Sequence, residues 1–402
     1  MQNEVLTPLG QKRLDFEMKI AYLLFDPGVP VGGTKGASIH VKEFCVGASR
    51  LGHEVHLLAT NVVGDIDHGV IVHDLGVSVA SKAERDKIDA AVAFSKVASI
   101  MLERIQPDLI YERLSLFFGD GPSIAASLGI QRILEINAPI ADERIKHFGL
   151  NLVAEARREE LRAISKSDVV VVSGALKHYA KSNGAREILV AQNGVDSARF
   201  VVFAHNNILP VICFVGSLKP WHGVANLIRA TKILLNAGFD HSLQIIGDGP
   251  EFHKLNLLVT ELGLGDHVEF VGAVNSCVIP SYLGKVDIAV APYLVAPDFY
   301  FSPLKLLEYM SCGIPFVATR TSSIQEITGD YPYLIDDPSP RDIASMLSDI
   351  LCNLPGAKRV AQRARERIVE QFDWSVVVEK IFNFASTINH QDKADAALEI
   401  SI

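Results

Sequence analysis

The sequence predicts an α/β protein built from two doubly wound, parallel-sheet domains. Three observations carry this. Short apolar runs alternate with amphipathic stretches at helical spacing from residue 18 to about residue 390. Many of the runs end in a Gly- or Pro-marked loop, and the rhythm breaks at residues 201–209 and restarts at Val211. A chain of 402 residues exceeds one ordinary core, and an apolar content of 49% spread along it lets each half bury its own. The expected division is a flexible lead-in at 1–17, an N-terminal domain at 18–205, a C-terminal domain at 206–373, and a closing helix and tail at 374–402 that can pack back on the N-terminal domain.

Residues 18–25 form the first buried strand, ended by Asp26-Pro27-Gly28. The loop from Pro30 to Ser38 follows, and its glycines, Gly32 and Gly33 among them, let the backbone approach a partner closely. Ser38 is expected to cap a helix whose apolar positions Val41, Phe44, Cys45, Ala48 and Leu51 recur at helical spacing up to Gly52. A strand at 54–60 completes a βαβ unit. A helix at 90–105, strands at 108–112 and 133–136, a charged helix at 151–167 and strands at 169–173 and 188–192 continue the alternation. Glu112 and Arg113 follow one strand, and Glu135, Asn137 and Pro139 close or follow another, positions from which side chains reach a cleft or a solvated rim. His40, alone at the start of a helix, reads more readily as a surface residue than as a base.

In the second half, the strand Val211–Val215 delivers Gly216, Ser217, Lys219 and His222 to a loop, and the strand Ser242–Ile246 delivers Gly247-Asp248-Gly249-Pro250. Strands at 268–271, 286–291 and 315–319 and helices at 338–353 and 358–371 complete it, with a last helix from Trp374 to about His390 and a frayed tail. Between two of these strands lies Tyr300-Phe301-Ser302-Pro303-Leu304-Lys305-Leu306-Leu307-Glu308. Ser302 can cap a short helix, Pro303 suits its first turn, and Gly313 with Pro315 ends it. Lys305 in that first turn opposes the helix dipole, a conflict that a bound anion resolves. Glu308 shares its face and can accept from vicinal hydroxyls. The pattern fits a sugar-nucleotide or phosphorylated-sugar site; an exposed Lys–Glu pair is the plainer alternative. Cations and donors from several loops on one edge suit a pyrophosphate.

A formal net charge of −9 argues against nonspecific nucleic-acid binding. No apolar run reaches the roughly 18 residues that a spanning helix needs, so the expectation is a cytoplasmic protein. Membrane contact is conceivable through Arg157, Arg158, Arg162 and Lys166, but the interleaved Glu155, Glu159 and Glu160 favour a solvated face. The scattered cysteines form no Cys-x-x-Cys pair and fit reduced, mostly buried thiols. Asp65-Ile66-Asp67 could hold a divalent cation but lies in a polar turn away from the loops above. No metal and no cofactor is expected.

The second half resembles the nucleotide-sugar domain of glycosyltransferase family 4 through Phe214-Val215-Gly216-Ser217-Leu218-Lys219-Pro220-Trp221-His222-Gly223, Ile246-Gly247-Asp248-Gly249-Pro250, Val268-Glu269-Phe270-Val271-Gly272, and the segment from Ser302 to Met310 with Gly313 and Pro315. The first half resembles the acceptor domain of one bacterial branch through Asp26-Pro27-Gly28, Lys35-Gly36-Ala37-Ser38-Ile39-His40-Val41, Tyr111-Glu112-Arg113, Glu135-Ile136-Asn137-Ala138-Pro139 and Asn193-Gly194-Val195-Asp196. The resemblance spans roughly residues 18–390 in matching order. It implies the GT-B fold, two facing Rossmann-like domains with an interdomain cleft, and a retaining enzyme. It further implies that Glu308 binds ribose hydroxyls and that N–H groups near Pro303, Leu304 and Lys305 meet the diphosphate. Backbone near Phe270, Val271 and Gly272 would read the base, and the Gly32-Gly33 loop would close over the phosphates.

Three departures stand out. Tyr300 occupies the place of a Glu that in the family commonly contacts the donor sugar. Ser217 and His222 stand where many members carry Arg and Lys, leaving Lys219 and Lys305 to supply charge. Asn137 stands where many carry a His. The implied activity is transfer from a nucleoside-diphosphate sugar to a sugar, lipid-linked or small-molecule acceptor. A sugar-nucleotide epimerase, a phosphorylase, and a catalytically silent nucleotide-sugar binder are the alternatives.

Overall fold

The computed structural model describes residues 17–400 apart from 67, 80–82, 205 and 295–298. The expected lead-in therefore lies outside the described residues save for its last position, as do Asp67 of the acidic triplet and His205. The chain divides into two compact units, one of residues 1–194 with 374–402, the other Val195–Asp373.

The first unit holds seven parallel strands: β1 (Lys19–Leu24), β2 (Glu54–Ala59), β3 (Ile71–Asp74), β4 (Leu109–Arg113), β5 (Gln131–Ile136), β6 (Asp168–Val171) and β7 (Ile188–Val190). Their order is β3-β2-β1-β4-β5-β6-β7. Successive β1 side chains feed the two faces of the sheet. Ile20, Tyr22 and Leu24 enter one core, while Ala21, Leu23 and Phe25 enter the other, which is why the strand reads as an unbroken apolar run. Helix Gly36–Arg50 begins two residues before the expected cap: Lys35 is its N-cap, and Ser38 lies buried inside its first turn. Strand β3 and helices Gly121–Leu128, Ile140–Phe148 and Leu176–Ser182 lack the length or periodicity to be read from sequence. In helix Val153–Ile164, Arg157 pairs with Asp142, Arg158 with Glu159, and Arg162 with Glu159 and Asp120.

The second unit holds six parallel strands: β8 (Val211–Val215), β9 (Ser242–Ile246), β10 (Val268–Gly272), β11 (Ile288–Ala291), β12 (Phe316–Thr319) and β13 (Leu334–Ile335), in the order β10-β9-β8-β11-β12-β13. Strand β8 again serves two cores, Ile212 and Phe214 on one side, Cys213 and Val215 on the other. The order reverses between β8 and β11, so two chain exits diverge there and leave a crevice at the carboxyl edge.

The unit division falls after Gly194, earlier than the expected boundary at 205. Val195 donates from its N–H to the Phe372 carbonyl at 2.9 Å, and the Phe200 carbonyl accepts from Ser311 and Arg365. Hydrogen bonding, which composition does not reveal, ties 195–200 to the second unit. The final helix, Trp374–Ile400, runs past the expected end near His390 and packs on helix Gly36–Arg50, where Gly47 lies against Trp374 and Val378. Trp374 also fills the space beside Gly194, where a Cβ would stand 2.6 Å from its ring. Trp374→Ala should destabilise the first unit by about 3–5 kcal/mol in urea unfolding followed by circular dichroism. A change below about 1 kcal/mol would show that the helix does not depend on this contact.

Candidate functional site

At the reversal point of the second sheet, Lys305 sits in helix Leu304–Ser311 with its side chain inside the protein. Its Nζ has no hydrogen-bond partner among the described residues. It lies 3.9 Å from the centre of the Phe214 ring and 5.2 Å from that of Tyr293. Burial pulls this ammonium down to about 7, against the opposing pull of Glu308 and Cys213. Aromatic faces soften the cost of a desolvated cation but do not replace hydrogen bonds. An anion at Nζ would supply them.

The helix start differs from expectation. Pro303, not Ser302, is the N-cap, and its side chain makes no capping bond; Ser302 is buried. A proline side chain cannot accept from the first-turn N–H groups; the Leu306 N–H reaches the Pro303 carbonyl at 3.1 Å, while those of Leu304 and Lys305 have no carbonyl within the helix to meet. At the other end Gly313 adopts φ +63°, and Gly313 and Ile314 donate to the Met310 and Tyr309 carbonyls. Glycine is needed there to close the helix. The buried Tyr309 hydroxyl accepts the Val215 N–H at 2.9 Å, fixing the helix to the end of β8.

The glycine loops lock around Nζ. A Cβ at Gly216 would stand 2.7 Å from Lys305 Nζ, and one at Gly247 would stand 2.0 Å from the Gly216 carbonyl oxygen. Gly247 donates to the Gly272 carbonyl and Leu218 to the Asp248 carbonyl. The site therefore gathers Gly216, Ser217, Lys219, His222, Gly247, Gly272, Pro303, Leu304 and Lys305 around connected loops. Glu308 is half-buried and close enough for its charge to act on Lys305. Phe270 turns its ring onto Phe252, and Val271 packs on the core, so their side chains face inward rather than toward the loops. Tyr300 is buried and its ring packs tilted on Phe301. Lys219 lies 4.9 Å from the Trp221 ring centre. Burial, Lys305 and Lys219 together hold His222 down to about 3 against the Ser217 carbonyl, to which its Nδ1 bonds. Phe214, an ordinary apolar position of β8 in the sequence, and Tyr293, in the loop after β11, are shown only by packing to be the faces that line Lys305.

In the first unit the acceptor-side candidates divide. His40 is buried rather than superficial, because Glu135 Oε2 and Asn193 Oδ1 each lie 2.8 Å from one of its ring nitrogens and Trp374 covers it edge-on. Glu135 also accepts from Tyr111 and Arg113. Burial would raise its pKa, but His40, Arg113 and Tyr111 outweigh that and bring it down to about 2. Glu112 points to the opposite face of β4, where it pairs with Arg132 at 2.7 Å and is sealed from solvent. It is not on a rim, since alternate strand residues face opposite sides. Asn137 is half-buried, with Oδ1 lacking a partner among the described residues. Gly32 and Gly33 serve the fold locally: a Cβ at Gly32 would meet the Gly64 backbone at 2.7 Å and one at Gly33 would meet Pro30 at the same distance. Among the described residues no three His, Cys, Asp or Glu side chains group to hold a metal ion. Cys45, Cys213 and Cys312 are buried and Cys277 and Cys352 exposed, all unpaired. No described helix is long and apolar enough to cross a membrane.

A family model described as Glycosyl transferases group 1 matches residues 198–367, and one described as Glycosyltransferase Family 4 matches residues 34–199. The chain is 30% identical over 371 residues to N-acetyl-alpha-D-glucosaminyl L-malate synthase of Bacillus anthracis, covering 85% of this chain and 91% of that one. The chain belongs to the family 4 glycosyltransferases, and its fold is GT-B. Among solved structures, sucrose-phosphate synthase of Thermosynechococcus elongatus superposes with a TM-score of 0.75 at 17% identity over 92% of this chain and 99% of that one. HepE of Anabaena, solved in complex with UDP-glucose, superposes with a TM-score of 0.70 at 16% identity over 92% of this chain and all of its own, 100%.

Two outcomes check the site's energetics. Because Lys305 is held below its ordinary value, the unfolded chain keeps a proton that the fold releases between pH 7 and the ordinary lysine range. Stability relative to Lys305→Met should therefore rise as pH increases above 7 and be flat below it; a pH-independent difference would contradict the buried cation. Glu112→Ala leaves Arg132 buried and unpaired and should cost about 3–5 kcal/mol in urea unfolding, whereas a solvated-rim residue would cost almost nothing.

Proposed function

We propose that this glycosyltransferase moves a sugar from a nucleoside-diphosphate sugar to an acceptor hydroxyl or amine with retention of configuration and without a metal. The observation that carries this reading is the buried Lys305 Nζ, without a hydrogen-bond partner among the described residues, against the Gly216 backbone at the head of a helix. Departure of a nucleoside diphosphate leaves charge on phosphate oxygens, and a preorganised ammonium with helix N–H groups stabilises that charge at little reorganisation cost. Lys219, on a neighbouring loop, is a second cation for it. Glu308, half-buried on the same helix, would take the ribose hydroxyls. His40, Arg113, Glu135 and Asn137 would serve the acceptor or sugar side, His40, Arg113 and Glu135 as a bonded group and Asn137 through its Oδ1, buried and without a partner among the described residues. The resemblance supports retention, with the donor's phosphate oxygen taking the acceptor proton as the new bond to the sugar forms. The Bacillus anthracis relative, by its name, joins a glucosaminyl group to L-malate, and Anabaena HepE was solved with UDP-glucose. Both are compatible with a small hydroxylated acceptor and a uridine donor here.

Thermal stabilisation by UDP and GDP tests the site first. Wild-type protein should be stabilised by one of them, and Lys305→Ala and Glu308→Ala should lose most of that shift while remaining folded. Affinity should fall as pH rises through 7, because the free protein must then take up a proton at Lys305 to meet the anion. Unchanged shifts in both variants, or affinity indifferent to pH, would reject the assignment. Proton NMR of the product's anomeric signal tests retention, and turnover unaffected by EDTA tests metal independence.

A further inference from the structure

The loop that carries His222 is held on every side. The His222 N–H donates to the Lys219 carbonyl at 3.0 Å, and the Leu294 N–H donates to the Trp221 carbonyl at 2.9 Å. Gly223 turns with φ +67° because a Cβ there would stand 1.9 Å from the Pro292 carbonyl oxygen. The imidazole meets the Tyr293 ring edge-on, centres 5.4 Å apart, with Phe214 at 6.0 Å and Trp221 at 6.1 Å. This ring cannot rotate freely.

Its nitrogens have distinct roles. Nδ1 bonds the Ser217 carbonyl oxygen, which can only accept, so Nδ1 carries the hydrogen. A second proton on the ring would put a cation in a half-buried place already facing Lys305 of the helix and Lys219 of its own loop, and those two together with burial disfavour it. The neutral ring then has its lone pair on Nε2. Nε2 bonds no described residue, yet it is not among the side-chain atoms sealed from solvent. It is an open neutral acceptor beside the cations Lys305 and Lys219 and the helix N–H groups, distinct from the carboxylate of Glu308 on the helix.

An acceptor facing a phosphate oxygen sets lone pair against lone pair. We infer that His222 Nε2 receives a hydroxyl or amide N–H of the transferred sugar, so that this residue reads the sugar and not the diphosphate. The inference rests on the donor reading above and assigns His222 a task different from that of Lys305 and Lys219. The hydrogen bond leaves no charge on the ring, and no proton changes hands.

The test uses the full-length protein labelled with 15N at histidine. Long-range 1H–15N correlation, with the His222 signal identified by its loss in His222→Gln, should show a neutral ring protonated at Nδ1 between pH 6 and 8. Calorimetry then compares UDP and GDP with UDP-glucose, UDP-N-acetylglucosamine and GDP-mannose. His222→Phe keeps the aromatic packing and removes the lone pair. It should bind the free nucleoside diphosphate within about twofold of wild type and the matching nucleotide sugar about tenfold more weakly. His222→Gln, which restores an acceptor oxygen, should recover part of that loss. An Nε2–H tautomer, an imidazolium at pH 7, or equal loss of affinity for diphosphate and nucleotide sugar would overturn the inference. Wild-type protein that binds none of these nucleotides while showing the Nδ1–H tautomer would overturn the donor reading, and this one with it.

Discussion

The second unit is arranged around one costly event, the burial of an ammonium that finds no hydrogen-bond partner among the described residues. Lys305 Nζ is offset by the faces of Phe214 and Tyr293 and by the pull of Glu308 and Cys213. The surroundings follow from how close it lies. Gly216 favours glycine through its φ of +139°, and it lies so close to Lys305 that a Cβ would stand 2.7 Å from Nζ; Gly247 must be glycine because a Cβ would stand 2.0 Å from the Gly216 carbonyl oxygen. Gly247 in turn is held by the Gly272 carbonyl. Close contacts thus run from one cation across three strand ends. An anion at Nζ would relieve the cost of so unfavourable a group in a rigid setting, which is the physical ground for the proposal that a diphosphate binds there.

The first unit solves the opposite problem. Its buried carboxylates carry their partners with them: Glu135 takes Tyr111, Arg113 and His40, and Glu112 takes Arg132, which also bonds the Ala163 carbonyl and the Ser167 hydroxyl. The Glu135 network, satisfied to this degree, rigidifies a sheet edge and does not await a ligand to become stable, whereas Glu112 Oε1 has no hydrogen-bond partner among the described residues. Asn193 and Trp374 join the His40 group from distant parts of the sequence, so the edge of β5, helix Gly36–Arg50 and the final helix are fixed with respect to one another inside this unit. Asn137, beyond the end of the same strand, differs in burying an Oδ1 that has no partner among the described residues.

Much of this was legible before any coordinates. Strands buried on both faces, such as β1 and β8, announce themselves as apolar runs, and the glycines after β8 and β9 mark where backbone must pass close to something. Lys305 stood out because a cation in a first helical turn contradicts the dipole. What could not be read is what depends on side-chain direction or on distant partners. Glu112 and Arg113 are neighbours in sequence but face opposite sides of β4, so one joins a core ion pair and the other the His40 group. Ser302 and Ser38 have the composition of caps but lie buried, because the one helix is capped at Pro303, one residue after Ser302, and the other at Lys35, three residues before Ser38. His40 looked like a surface residue because its partners, Asn193 and Trp374, lie far away along the chain. The boundary after Gly194 depends on backbone bonds to Phe372 that no local pattern encodes.

A fold shared at 17% identity with sucrose-phosphate synthase and at 16% with HepE leaves specificity to individual side chains on a common frame. If the second unit holds a nucleoside diphosphate, its cations are committed to the phosphates, because a buried ammonium is worth most against full charge. Choice among sugars then falls to neutral groups, whose hydrogen bonds have direction and whose unmet partners are costly. Tyr300, buried with its ring tilted on Phe301, presents a ring in place of a carboxylate, and His222 presents a lone pair in place of an ammonium. Both substitutions lower the charge of the site and raise the share of recognition carried by direction. On that argument the departures from the common pattern at 222 and 300 belong together: each moves the reading of the sugar from electrostatic attraction to hydrogen-bond geometry.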